Sequence, residues 1–172
     1  MPRFLVTFIL LLAALFGIEL TPWAQASIVT PWTDAVARVA TTLIHGFDPG
    51  VHARGNIIST ATGSFAVSIA AGCNGVEATL VLAAAILAFP ATWRYRLMGI
   101  GIGTVAVQGL NVVRVISLFY LGQWSLDAFE WAHLYVWQAL IMLDVLIVWL
   151  LWVRFAQDRP AGAAPPPGAA IA

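Results

Sequence analysis

The sequence has little charge and few of the side chains that build metal clusters or disulfides. Only 9% of its 172 residues are charged, against about 25% in an average soluble domain. Lysine is absent, because all eight basic residues are arginine, and eight acidic residues balance them. A single cysteine excludes an intramolecular disulfide and a cysteine-based metal cluster. These shortages exclude a soluble globular enzyme, and a chain without net charge has no overall field to attract a nucleic acid.

What the sequence has in excess is apolar residues, which form 61% of the chain and raise its mean hydropathy to +0.90. A membrane-spanning helix needs about 20 mostly apolar residues. Four windows meet that requirement, at about residues 4–23, 69–89, 97–121 and 133–153. The sequence therefore predicts an all-α polytopic membrane protein with about four transmembrane helices. Residues 1–155 form one membrane-embedded domain, and residues 156–172 form an Ala- and Pro-rich tail that we expect to be disordered and cytoplasmic.

Arginines near the predicted span ends set the orientation, because cytoplasmic loops retain positive charge. Arg3 precedes the first span, Arg94 and Arg96 join the second to the third, and Arg154 and Arg159 follow the fourth. Alternating spans bring all five to one side, which we take as the cytoplasmic side. The first span is open to two interpretations, a retained helix, which we favour, or a signal peptide cleaved near its small residues.

The segment between the first two spans is predicted to lie on the extracytoplasmic surface. Residues 31–46 have apolar positions near the helical period and predict an amphipathic helix. Their apolar stripe consists of Trp32, Ala35, Val36, Val39, Leu43 and Phe47. Residues 55–60 and 65–69 predict a short β-hairpin that leads directly into the second span.

Ionisable side chains inside spans are costly and mark candidate functional sites. With the predicted orientation, Cys73 and Glu77 lie at the outer end of the second span. Arg114 lies in the outer half of the third span, three residues after Asn111, and His133 lies at the outer mouth of the fourth. Topology therefore brings a thiol, a guanidinium and an imidazole to a similar depth from three helices.

Each of these residues also has a structural interpretation. A lone cysteine is often a small buried apolar residue, Arg114 could form an ion pair with Glu77, and His133 could be an interfacial histidine. Asn74 followed by Glu77 is typical of a helix N-cap with a capping-box partner. That cap would put Cys73 just before a helix N-terminus, where the pKa of a thiol is lowered. His133 is then the nearest general base, with His45 and His52 as weaker candidates.

The motifs resemble those of the exosortase/archaeosortase family, and most closely the exosortase H branch. The resemblance covers roughly residues 55–155 and depends on three short segments in order. They are Gly72-Cys73-Asn74-Gly75-Val76, Asn111-Val112-Val113-Arg114, and His133 at the head of a helix. Many members carry Ser or Ala where this chain has Asn74, and this chain is shorter than eight-span members.

The resemblance implies a cysteine peptidase or transpeptidase in the bacterial inner membrane, with its active site facing the extracytoplasmic side. Such enzymes cleave a C-terminal tripartite sorting signal of exported proteins, which consists of a short motif, an apolar span and a basic end. By matching positions, Cys73 is the nucleophile, His133 the acid/base and Arg114 the oxyanion stabiliser, with Asn74, Glu77 and Asn111 in supporting or orienting roles. The expected partners are sorting tails and the lipid bilayer, without nucleic acid, metal or cofactor.

Two other functions remain open from the residues alone. The polar cluster could only hold helices together in a non-enzymatic assembly subunit. Alternatively, Glu77, Arg114 and Asp144 could form the polar path of a small transporter, in which Asp144 lies near mid-membrane.

Overall fold

The computed structural model describes residues 2–157, which form a helical bundle with a small sheet at one end. In chain order the helices are α1 (Pro2–Glu19), α2 (Pro22–Ala24), α3 (Thr30–Ile44), α4 (Val76–Ala88), α5 (Trp93–Trp124), α6 (Leu126–Trp131) and α7 (Trp137–Gln157). The strands are β1 (Val51–Arg54), β2 (Ile57–Thr60) and β3 (Ala66–Ser68). Two π-helical turns, Gln25–Val29 and Ala132–Val136, join α2 to α3 and α6 to α7.

Three of the helical segments are long and apolar enough to cross a membrane. They are α1, α5 and the continuous segment Leu126–Gln157, which contains α6, the second π-helical turn and α7. The chain is thus a multi-pass membrane protein, as its composition predicted, but the count of four spans is not confirmed. The predicted tail begins too early, because residues 156 and 157 still belong to α7; its remainder lies outside the described residues.

The second predicted span, residues 69–89, is wrong in its first third. Helix α4 begins only at Val76 and has 13 residues, which extend over about 20 Å at 1.5 Å per residue. That length is short of the roughly 30 Å hydrocarbon core of a bilayer. The preceding residues are not helical because Gly72 and Gly75 both adopt positive φ angles, of 82° and 76°. We call this non-helical segment, residues 69–75, the Cys73 loop.

The predicted amphipathic helix is present as α3, but a different face of it is buried. The buried residues are Thr33, Val36, Ala37, Ala40, Thr41 and Ile44. Ala37 and Ala40 are small enough to let α3 approach α5 closely. Most of the predicted apolar stripe faces outward instead, since Val39 and Leu43 are exposed. Hydrophobicity alone predicts the wrong face, because the contact between α3 and α5 depends on side-chain size.

The predicted hairpin is confirmed as β2 and β3, and the structure adds a strand before it. The three strands are antiparallel in the order β1-β2-β3, with Ile58 opposite Val67. Gly55 was assigned to a strand by the sequence, but its φ of 59° makes it part of the two-residue turn between β1 and β2. A Gly-Asn pair between extended segments is a hairpin signal that could have predicted β1.

The sheet and α3 pack together on one half of α5, and this packing fixes the position of the Cys73 loop. Phe119 of α5 is fully buried with Ile44, Val51 and Ile58. A second core fills the other half of the bundle, where α4, α5 and α7 meet around Leu82, Ile86, Val107, Val145 and Trp152. Gly99, near the start of α5, serves this packing because it lies directly against Trp152. The Cys73 loop thus runs from the sheet to α4 along the polar part of α5.

Candidate active site

Three segments distant in sequence bring a thiol, an imidazole and a guanidinium together. The Cys73 sulfur lies 3.7 Å from Nε2 of His133 and 3.5 Å from Nη2 of Arg114. Cys73 belongs to the Cys73 loop, Arg114 to α5 and His133 to the π-helical turn before α7. The three side chains predicted from topology to converge therefore do meet around one sulfur atom.

Hydrogen bonds within the Cys73 loop hold the thiol in place. The amide of Cys73 donates to the carbonyl oxygen of Ala70 at 3.0 Å, which closes a tight turn. One carboxylate oxygen of Glu77, in the first turn of α4, accepts a hydrogen bond from the amide of Gly72 at 2.6 Å. Glu77 therefore orients the loop from the C-terminal side, which agrees with a supporting role.

The predicted capping box is wrong in its details. The N-cap residue of α4 is Gly75, which has a left-handed conformation and no side chain to cap with. Asn74 still satisfies the first amide of the helix, because its Oδ1 accepts from the amide of Val76 at 3.0 Å. Its Nδ2 donates to Oγ1 of Thr33 at 2.9 Å, which ties the fully buried Asn74 to α3. Glu77 reaches Gly72 and not Asn74, so the reciprocal bond of a capping box is missing.

Asn111 lies beneath the Cys73 loop with its amide group unsatisfied. The side chain is fully buried, and neither its Oδ1 nor its Nδ2 has a hydrogen-bond partner among residues 2–157. It packs directly below Gly75, together with Gln108, which donates to Oγ1 of Thr79 at 3.2 Å. The predicted polar stripe of α5 therefore faces protein. A buried, unsatisfied amide one turn from Arg114 is a group that a substrate or a water molecule could satisfy.

Arg114 does not form the ion pair that was its main structural interpretation. Its side chain is 3% exposed, and its only polar side-chain contact in the described chain is the Cys73 sulfur. The Nε atom is buried without a partner, and Glu77 binds Gly72 instead. A buried cation without a carboxylate is costly, so the arrangement is not explained by structural pairing.

His133 is oriented by an aromatic ring and not by a third polar residue. The ring of Phe129 stacks on the imidazole at 5.6 Å between centroids, with an angle of 2° between the planes. The Nδ1 atom is buried and has no hydrogen-bond partner in the part of the chain described. Sequence reasoning missed Phe129, although its position four residues before His133 on a helix is the spacing at which side chains meet. The π-helical turn around His133 was missed as well, and such turns are frequent at functional sites.

Burial changes the expected ionisation of the Cys73 thiol. The sequence predicted a lowered thiol pKa, but the pKa of Cys73 is raised above its ordinary value, mainly because burial disfavours the thiolate. The Arg114 charge opposes this effect and lowers the pKa, while the Glu77 charge raises it. Burial therefore favours the protonated thiol over the thiolate.

The cluster opens into a small cavity of about 40 Å³. Its lining consists of Val67, Ser68 and Ile69 from the β3 segment, Cys73, Arg114, Val115, Leu118, Phe129 and His133. Residues of β3 and the residue after it therefore line the same cavity as the three polar groups. The space suits one small group, such as a carbonyl.

Other candidate residues lie outside this cluster. His45 contacts the carbonyl oxygen of Val51, and its ring centroid lies 6.1 Å from that of His52. Asp144 is on α7, and its Oδ2 is buried without a partner within residues 2–157. No group of three or more His, Cys, Asp or Glu among the described residues could hold a metal ion.

Comparison with known protein families identifies the family of this chain. A family model described as transmembrane exosortase matches residues 2–151 of this chain, which include every residue of the cluster. No curated protein and no solved structure matches the sequence. The family resemblance drawn from the three motifs is therefore confirmed.

Proposed function

Because the chain belongs to the transmembrane exosortase family, we propose that it is a membrane cysteine peptidase or transpeptidase. Its substrates are exported proteins with a C-terminal sorting tail made of a short motif, an apolar span and a basic end. The observation that carries the proposal is the Cys73 sulfur, which has His133 on one side at 3.7 Å and Arg114 on the other at 3.5 Å. A nucleophile, a base and a fixed positive charge around one atom are the parts that acyl transfer requires.

In the first half of the reaction, Nε2 of His133 takes the proton from the Cys73 thiol. The thiolate attacks the carbonyl carbon of the scissile peptide bond and forms a tetrahedral intermediate. When the intermediate collapses, the carbon–nitrogen bond breaks, and His133 returns the proton to the leaving amine. The product is a thioester between Cys73 and the exported protein, and the span with its basic end is released. The raised pKa of the thiol makes the histidine base necessary for this step.

Arg114 stabilises the negative charge that develops on the carbonyl oxygen. Its guanidinium is almost fully buried and contacts no carboxylate in the described residues, so its charge is not neutralised before the substrate arrives. Such a charge in a site with little water stabilises an oxyanion more strongly than it would in bulk solvent. Asn111, one turn away with an unsatisfied amide, has a supporting role in the same region.

In the second half, an acceptor attacks the thioester carbonyl and releases Cys73. His133 takes a proton from the acceptor and returns it to the thiolate. If the acceptor is water, the reaction is hydrolysis, and if it is an amine, the reaction is transpeptidation. Both outcomes use the same three residues.

The proposed location follows from the arginine distribution and the apolar helices. We place the protein in the bacterial inner membrane with the cluster at the extracytoplasmic face, where exported proteins become accessible. The apolar span of a sorting tail would lie in the bilayer beside the bundle, while its motif reaches the cluster.

The decisive experiment uses a tailed reporter, which is a secreted domain fused to a motif–span–arginine tail from an exported protein of the same organism. We expect wild-type protein to form a covalent adduct with the reporter on Cys73, and mass spectrometry of the adduct to give the cleavage point. The Cys73→Ala variant should form no adduct and leave the reporter uncut. Processing by Cys73→Ala at normal protein levels would overturn the proposal.

A matched control separates catalysis from the two other functions. Asp144→Asn also alters a polar group inside the bundle but lies outside the cluster, so we expect processing to continue in that variant. A small transporter would show the opposite pattern, in which function survives Cys73→Ala and fails in Asp144→Asn. An assembly subunit would tolerate Cys73→Ala without loss.

A further inference from the structure

Strand β3 has one free edge, and its hydrogen-bonding groups are not used by the sheet. The amide of Thr60 donates to the carbonyl of Phe65 at 3.0 Å, and the amide of Ile69 donates to the carbonyl of Asn56 at 2.9 Å. In an antiparallel ladder, alternate residues turn their amide and carbonyl groups towards the neighbour. The amide and carbonyl groups of Phe65, Val67 and Ile69 therefore point towards β2. The amide and carbonyl groups of Ala66 and Ser68 point the other way, where the sheet order β1-β2-β3 has no further strand among residues 2–157.

This free edge borders the reactive cluster. Val67, Ser68 and Ile69 line the same cavity as Cys73, Arg114 and His133. The chain passes from Ser68 to Cys73 in five residues and turns back on itself through the bond from the Cys73 amide to Ala70. A peptide lying along the outer edge of β3 would therefore run towards the sulfur atom.

The edge also lacks two of the features that usually prevent strand addition, charged side chains and proline. Natural edge strands are protected by charged side chains, proline, bulges or a covering helix. Residues 65–69 contain neither a charged residue nor a proline, and the side chains of Ala66 and Ser68 are exposed. An exposed backbone edge of this kind binds one class of ligand well, which is an extended peptide that adds a strand.

We infer that the motif of a sorting tail binds as an additional strand on the outer edge of β3. Its backbone pairs with the amide and carbonyl groups of Ser68 and Ala66, and its next residues carry the scissile carbonyl to Cys73. The inference rests on the proposed function for the identity of the peptide. In this binding mode, backbone groups position the substrate. Side chains at alternate positions of the motif then determine which sequences are recognised.

Proline at position 68 tests the edge directly. The Ser68 amide points away from β2, so Ser68→Pro removes a free-edge donor and puts a ring on the edge without breaking the ladder of the sheet. Proline is tolerated on an edge for that reason. Ser68→Ala is the matched control, because it changes the side chain and keeps the backbone donor. Full-length protein in lipid nanodiscs is mixed with the tailed reporter, and the cleavage rate is measured against reporter concentration.

We expect Ser68→Pro to raise the half-saturating reporter concentration by about tenfold or more. The reason is that the substrate loses one hydrogen bond and can no longer approach the edge closely. Ser68→Ala keeps the backbone donor, so its half-saturating concentration should rise several-fold less than that of Ser68→Pro. Alkylation of Cys73 by iodoacetamide should proceed equally in all three proteins, which shows that the cluster is intact. A Ser68→Pro protein that alkylates normally and has the wild-type half-saturating concentration would overturn the inference.

A cross-linking measurement covers the case in which Ser68→Pro does not fold. Ser68→Cys in a Cys73→Ala background has a single thiol, located on the edge. With copper phenanthroline as the oxidant, we expect it to form a disulfide with a reporter that has one cysteine in its motif, when that cysteine is at alternate motif positions. Thr62→Cys, in the exposed turn between β2 and β3, is the control and should not cross-link. A disulfide-linked homodimer of Ser68→Cys in place of the reporter adduct would assign the edge to a second copy and refute the inference.

The two proposals can fail separately. If the reporter acylates Cys73 but neither Ser68→Pro nor the cross-link behaves as expected, strand addition is wrong and the peptidase function stands. If the reporter cross-links to Ser68→Cys but never acylates Cys73, the edge binds the tail and the chemistry is wrong.

Discussion

Replacing Gly75 with alanine would test whether the Cys73 loop is held by close packing against α5. Gly75 has a φ of 76°, and a Cβ atom there would lie 2.7 Å from Nε2 of Gln108 and 3.1 Å from Cγ of Asn111. The amide of Gln108 can swing aside only by giving up a hydrogen bond, and the Asn111 side chain has no exposed side to turn towards. Gln108 is hydrogen-bonded to Thr79, and Asn111 is fully buried.

The expected loss of stability in Gly75→Ala has two contributions, backbone strain and overpacking. The variant Gly72→Ala measures the first contribution alone. A left-handed conformation costs an L-residue about 1–2 kcal/mol, and overpacking adds about 1–3 kcal/mol. Gly75→Ala should therefore lower the free energy of unfolding by about 2–5 kcal/mol. Gly72→Ala has the same strain, because its φ is 82°, but its Cβ would meet no atom within 4 Å, so only about 1–2 kcal/mol is expected. The effect of alanine on the unfolded chain is common to both variants and cancels in their difference.

The assay is unfolding of the detergent-solubilised protein followed by tryptophan fluorescence, with the cleavage rate of the tailed reporter as a second readout. Gly63→Ala, in a surface turn with a φ of 68° and open space around it, is the control. It should lose as much stability as Gly72→Ala and keep full activity. In the double variant Gly75→Ala/Gln108→Ala, part of the lost stability should return, because the nearest obstacle is gone. Equal destabilisation by Gly75→Ala and Gly72→Ala would refute the claim that the loop is packed tightly.

Two further predictions concern the chemistry of the cluster. Arg114→Gln should move the midpoint of Cys73 alkylation to higher pH, because it removes the charge that lowers the thiol pKa, and Glu77→Gln should move it to lower pH, because it removes a charge that raises it. Iodoacetamide labelling rates measured across the alkaline range report both midpoints, and shifts in the same direction would contradict the electrostatic account. Phe129→Ala should lower the cleavage rate at saturating reporter with little change in half-saturating concentration, since the stacked ring orients His133, the proposed base. Phe129→Tyr retains a ring and should restore most of the rate, so equal losses in both variants would show that stacking is not the cause.

The sequence predicted the meeting of Cys73, Arg114 and His133 because that meeting depends on span direction. Apolar windows and arginines near their ends give the direction of each helix, and direction alone decides which polar residues share a depth. The depth argument did not require correct helix ends, so it succeeded even though α4 begins seven residues later than the predicted span.

What the sequence did not predict depends on packing between segments. The buried face of α3 contains Ala37 and Ala40. Their small size favours this face only because α5 packs closely against it. Strand β1 was missed because Gly55 was taken as a strand residue and not as a turn. The thiol pKa was predicted with the wrong sign because a helix N-terminus can be read from sequence, whereas the burial that opposes it is a property of the assembled fold.

The π-helical turn at Ala132–Val136 makes the position of His133 depend on the number of residues in the chain before α7. In this turn the amide of Trp137 bonds to the carbonyl of Ala132, five residues back, so the turn holds one residue more than an α-helical turn. Deleting a single residue there would restore the α-helical phase and rotate everything before it by about 100° relative to α7. Phe129 and His133 would then leave the cavity, although no residue of the cluster had been substituted. Among homologous sequences, a one-residue gap in this short stretch would therefore mark a chain that keeps the cysteine but no longer holds the histidine beside it.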